Sequence, residues 1–166
     1  MIGRPRPQPW ASVEINAPID LVWSVMLDTD RYAEWNPFVV RADTRTPPRV
    51  GQPIRLHVRW ANGRGTVSPE RISAVEPPTD ASATAARIAA LAYVYEGLPA
   101  RLRLVRGTRW QRLTQHADGP TTYHTVEEFS GPLVRLAGPG RVAEGFRRHA
   151  EALKVRAESM AGERAC

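Results

Sequence analysis

The sequence is short of thiols: its 166 residues include one cysteine, Cys166, at the last position. An internal disulfide framework and a cysteine-based zinc cluster are thereby excluded. Lysine is equally scarce, Lys154 being the only one among 23 basic residues. The rest are arginines, and against 17 acidic residues they leave a net charge of +6. Arginine codons are GC-rich, so coding bias accounts for this excess as well as a function does. Long apolar runs are missing too; none approaches the roughly 18–20 residues of a membrane span. Arg4 and Arg6 are interleaved with Pro5, Pro7 and Pro9 and lead into no apolar stretch, which does not read as a secretory signal. The expectation is a soluble cytoplasmic protein without a membrane span. There is no Gly-x-Ser-x-Gly elbow, phosphate-binding loop or dinucleotide fingerprint. No two of the four histidines stand at metal-ligand spacing, so neither a metal nor a cofactor is expected.

What is present suits one globular domain, with 42% hydrophobic and 24% charged residues. We divide the chain into a flexible Pro/Arg-rich tail (1–9), a single domain (10–160) and a C-terminal tail (161–166). Trp10 to Asn16 alternates as a strand with one buried face. Ala17-Pro18 starts a helix whose Ile19, Val22, Trp23 and Met26 form one apolar stripe. Asp30 is placed to cap a short second helix, which Asn36-Pro37 ends. Strands follow near 38–44, 54–60, 66–75 and 91–95, with a loop over 77–86 and a break at Gly97-Leu98-Pro99. Two more strands, about 103–115 and 121–129, flank Asp118-Gly119. A long amphipathic helix over 141–160 carries Val142, Phe146, Ala150, Leu153, Ala157 and Met160 at helical spacing. Consecutive strands with tight turns imply an antiparallel meander closed by this helix.

Several segments resemble one superfamily. Val13 to Trp23, reading VEINAPIDLVW, is similar to its opening strand and helix, and Asp30 to Phe38, DRYAEWNPF, to its second-helix motif. Val75-Glu76-Pro77 and Thr121 through Gly131 are further matches. The chain thus resembles the START-like superfamily, also called SRPBCC, which includes the birch pollen allergen, and within it the polyketide cyclase/dehydrase-like branch. The resemblance implies an α+β helix-grip fold: a seven-stranded antiparallel sheet around a long C-terminal helix, with two short helices after the first strand. It also implies an interior ligand cavity entered near the short second helix.

Strand parity selects the residues that face such a cavity. A three-residue loop 117–119, with Gly119 left-handed, pairs His116 with Pro120. Leu113 then faces Tyr123, Gln111 faces Thr125, and Arg109 faces Glu127. A two-residue Asp118-Gly119 turn would shift every pair, and we prefer the first register. It brings Arg109 beside Glu127, where the cation is expected to hold the carboxylate ionised. The candidate catalytic groups are Glu127 as base, Arg109 as oxyanion partner, and Tyr93, Tyr95 or Tyr123 as acids. The alternative is a structural ion pair and aromatic packing. Candidate ligand-binding residues are Trp35, Asn36, Phe38, Trp60, Gln111, Leu113, Thr125 and Phe146.

Three functions compete. One is an enzyme of the polyketide cyclase, aromatase or dehydratase kind, acting on a hydrophobic, oxygen-bearing small molecule. A second is a non-catalytic carrier or sensor of such a ligand. The third, nucleic-acid binding by Arg101, Arg103, Arg106, Arg109 and Arg112, is disfavoured because no recognition motif accompanies them. Monomer and homodimer both remain open.

Overall fold

The computed structural model describes residues 8–80 and 86–165. Most of the expected N-terminal tail (1–7), residues 81–85 of the long loop and Cys166 lie outside the described residues. The elements are β1 (Trp10–Ile15), α1 (Ile19–Leu27), a 3₁₀ turn (Thr29–Arg31), α2 (Tyr32–Trp35), β2 (Val39–Asp43), β3 (Pro53–Arg59), β4 (Gly65–Glu76) and β5 (Arg87–Tyr95). Then come α3 (Leu98–Arg101), β6 (Arg106–Gln115), β7 (Thr121–Ser130), a second 3₁₀ turn (Val134–Ala137) and α4 (Pro139–Ala165).

The seven strands form one antiparallel sheet in the order β1-β7-β6-β5-β4-β3-β2. This is the helix-grip architecture the resemblance implied. Phe146, Ala150, Leu153 and Ala157 of α4 are fully buried in one core with Leu91, Leu113 and Tyr123 of the sheet. Ile19, Val22, Trp23 and Met26 of α1 join the same core, as their spacing predicts. An ion pair fastens α1 to the sheet, with Arg87 donating to both carboxylate oxygens of Asp20 at 2.6 and 2.9 Å. Among the described residues, no helix is long and apolar enough to cross a membrane.

The hairpin adopts the preferred register, pairing Leu113 with Tyr123, Gln111 with Thr125 and Arg109 with Glu127. Its loop differs in detail: Ala117, at φ +47, takes the left-handed position expected of Gly119. Gly119 instead donates its N–H to the His116 carbonyl at 3.0 Å. Other expectations need correction. Asp30 caps no helix; it lies within the 3₁₀ turn and accepts a hydrogen bond from Thr46 at 3.1 Å. The Gly97-Leu98-Pro99 break is the start of α3, since a proline in a first helical turn gives up no intrahelical bond. β6 consequently begins at Arg106, after Arg103 has passed through φ +57. α4 begins at Pro139 and continues to Ala165, well into the segment assigned to a tail.

Gly131, just after β7, has φ +117, and a Cβ there would fall onto the Leu104 carbonyl oxygen. Backbone angle and space both demand glycine. Gly131→Ala should therefore cost about 2–3 kcal/mol, read as a lowered urea midpoint with unchanged slope.

Candidate functional site

Between the concave face of the sheet and the first half of α4 lies a cavity of about 450 Å³. Its mouth is at the end of the sheet where β3, β5 and β7 finish, rimmed by Val67, Pro99, Leu104, Leu133 and Leu136. The walls are largely apolar: Phe38, Leu56, Val58, Trp60, Phe129, Val142 and Phe146. Into this lining project Ser68, Glu70, Tyr95, Arg109 and Glu127.

Arg109 is 4% exposed, a buried cation. Its Nε donates to Thr125 Oγ1 at 3.1 Å and an Nη to the Tyr123 hydroxyl at 3.3 Å. The guanidinium lies 4.4 Å from the centre of the Phe146 ring. Among the described residues it has no carboxylate within ion-pair distance. Its cross-strand neighbour Glu127 therefore does not form the expected ion pair. The Glu127 carboxyl occupies the space above Gly107, where a Cβ would collide with it. Burial, reinforced by the nearby Glu70 carboxyl, raises Glu127 to about 8, and Arg109 offsets this only in part. The expectation that Arg109 keeps Glu127 ionised is thus overturned: desolvation outweighs the attraction, and Glu127 holds its proton at neutral pH.

Glu70, on β4, is the site residue that sequence reasoning missed. Its carboxyl accepts a hydrogen bond from Ser68 at 2.9 Å. Burial raises it to about 7, opposed by the Ser68 hydroxyl and by Arg109. Parity could have found it, because Glu70 lies two residues before the fully buried Ile72. Its backbone pairs with that of Tyr95, whose phenol is raised by burial and by Glu70.

The structure thus brings Arg109, Glu127, Tyr95, Phe38, Trp60 and Phe146 together on the cavity wall. The remaining candidates lie elsewhere. Tyr123 is fully buried behind Arg109 and donates to Gln111 Oε1 at 2.9 Å. Tyr93 is buried and pushed up to about 12, chiefly by desolvation. Thr125, Gln111 and Leu113 continue the same inward file of the hairpin, away from the mouth.

Trp35 and Asn36 do not mark an entrance, because α2 packs into the core. Asn36 Oδ1 accepts from the N–H groups of Phe38 and Val39 at 3.1 and 3.0 Å. These two bonds orient the amide, so its Nδ2 donates to His149 Nδ1 at 2.9 Å. His149 must then carry its proton on Nε2. Burial, with Arg109 adding repulsion, holds it neutral, well below the usual histidine range. Trp35 and Tyr123 pack against the imidazole on either side of this link. Asn36→Ala would strand two backbone donors and the His149 acceptor. We expect a cost of about 3 kcal/mol, measured as a fall in unfolding free energy with secondary structure retained at low temperature.

The arginine run does not form one surface. Arg109 points inward, while Arg112 lies 4.5 Å over the Trp110 ring. No three His, Cys, Asp or Glu side chains gather as a metal site among the described residues.

The family described as polyketide cyclase / dehydrase and lipid transport matches residues 10–158. No curated protein matches the chain. Among solved structures, the Zhui aromatase/cyclase from Streptomyces sp. R1128 is similar at 21% identity, covering 91% of this chain and 93% of that one, with a TM-score of 0.68. A START superfamily protein from Mycobacterium smegmatis is 16% identical over 92% of this chain and 98% of its own, at a TM-score of 0.64. A hypothetical protein, jhp0584, from Helicobacter pylori is 9% identical over 95% and 91%, at 0.68. At these identities the likeness is one of fold.

Proposed function

The chain belongs to the polyketide cyclase / dehydrase and lipid transport family, and on that footing we propose that it binds a hydrophobic, oxygen-bearing, polyketide-like molecule in its cavity and promotes cyclisation or dehydration. The observation that carries this reading is the trio of Glu70, Glu127 and Arg109 in an otherwise apolar cavity. Two carboxyls poised near 7 and 8 are matched to proton transfer at neutral pH. The cavity volume falls in the range of small-molecule sites. The fold likeness to an aromatase/cyclase fits the same reading.

The roles follow from charge. Ionised Glu70 takes a proton from a carbon flanked by carbonyls, and Arg109 balances the negative charge that gathers on the enolate oxygen. The carbanion attacks a second carbonyl of the same folded chain, forming the ring bond. Protonated Glu127 gives its proton to the resulting alkoxide. In dehydration, Glu127 protonates the departing hydroxyl, which leaves as water while Glu70 takes the neighbouring carbon's proton. Proton exchange through solvent then returns both carboxyls to their starting states. The aromatic walls hold the reacting carbons close, which supplies much of the rate. Tyr95 supplies a further hydroxyl for a ligand oxygen. Tyr93 and Tyr123 lie behind the wall and take no part.

The test pairs two measurements on the same protein. A linear poly-β-ketone thioester is incubated with it and the products are followed by mass spectrometry, and displacement of a fluorescent apolar probe reports binding. Cyclised or dehydrated product, formed faster than without protein, is the expected result. Probe displacement with the thioester recovered unchanged would replace the enzyme with a carrier.

A further inference from the structure

The mouth of the cavity is built from two segments without a single acidic residue, 97–107 and 131–143. Between them they expose Arg101, Arg103, Arg106, Arg135 and Arg141. None of the five is in an ion pair among the described residues. The same segments expose large aliphatic side chains: Leu98 at 67%, Leu102 at 59%, Leu133 at 39% and Leu136 at 75%. Facing them across the opening, Val67 of β4 is 54% exposed. Water-exposed leucines beside unpaired guanidiniums are costly to leave unpartnered, and here they ring the entrance to an apolar cavity.

From this arrangement we propose that the mouth docks on an anionic lipid surface, the leucines entering the acyl boundary and the arginines binding lipid phosphates. Aliphatic tips flanked by cations are the composition of an interfacial membrane contact. A protein partner would instead call for aromatic anchors, and neither segment contains a Trp, Tyr or Phe. Docked in this way, the apolar cavity walls continue the hydrocarbon layer. The proposal stands whether or not the cavity performs chemistry.

Flotation of the full chain with vesicles tests it. At low salt the protein is expected to float with an equal mixture of phosphatidylcholine and phosphatidylglycerol, but not with phosphatidylcholine alone. Reversing two mouth charges, Arg101→Glu with Arg135→Glu, should weaken binding at least about tenfold. The charge-matched pair Arg45→Glu with Arg49→Glu lies in the β2–β3 loop at the opposite end of the sheet and should change it little. Leu98→Asp with Leu102→Asp, both outside the cavity lining, should also weaken binding at least about tenfold. Thermal unfolding near that of the wild type confirms that each variant folds. Absence of flotation at low salt overturns the proposal. So does equal loss in the two arginine pairs. Loss with the mouth arginines but none with the leucines would overturn entry of the leucines into the acyl boundary and leave a surface charge contact alone.

Discussion

Glu70→Gln is expected to lower turnover of a polyketone substrate by about 10²–10⁴-fold. Binding of an unreactive apolar ligand should stay within about threefold, because Gln keeps the shape of Glu and its acceptor for the Ser68 hydroxyl. The pH profile separates a base from a mere wall residue. Wild-type rate should rise as Glu70 ionises near 7 and fall as Glu127 loses its proton near 8, giving a narrow bell. Because the Glu70 carboxyl is the second-largest cause of the raised Glu127, its neutralisation should move the alkaline limb of any residual rate to lower pH. Glu127→Gln should abolish that limb. Wild-type kcat in Glu70→Gln would overturn the assignment of the base.

The same carboxyls make folding unusually sensitive to alkali. Both bind their proton more tightly when folded, at about 7 and 8 against an ordinary 4.5. The folded chain therefore holds more protons than the unfolded one across this window, and stability falls as pH rises through it. His149 acts in the opposite sense. It stays neutral when folded, so its contribution is present above the ordinary 6.5 and is lost as pH falls below it. His124, also lowered by burial, works with it. Below pH 6.5 histidines and carboxyls oppose one another and the profile flattens; above it the carboxyls act alone. At about 1.4 kcal/mol per unmatched proton per pH unit, stability should drop by about 2–3 kcal/mol between pH 6.5 and 8. Denaturant titrations at fixed pH measure this. The Glu70→Gln/Glu127→Gln double variant should be flat over that range and more stable than wild type at pH 8. A wild type equally stable at both pH values would sink the account.

Hairpin register was legible because side chains alternate: once Leu113 and Tyr123 are placed inward, Arg109 and Glu127 follow. α4 was legible because its stripe repeats over five turns. Glu70 escaped because Thr66, Ser68 and Glu70 face a cavity instead of a packed core while Val67 and Pro69 are exposed, so the usual apolar-inward alternation is inverted there. Asn36 ends the second helix as its place before Pro37 predicts, and it was set at a cavity entrance only because the resemblance puts the entrance near that helix. Nothing local shows that His149, over a hundred residues later, returns to meet it. α3 is too short for any period to show, and Ala117 adopts a backbone that composition assigns to the nearby glycine.

The link between Asn36 and His149, with Tyr123 against the imidazole, stands outside the cavity lining, whereas the exposed lining residues Val67, Pro99, Leu133 and Leu136 gather at the mouth. On the function proposed above, substrate and product would share that opening. A cyclised product left in the chamber would then block the next chain from entering, so occupancy by product would act as a brake on the proposed cycle.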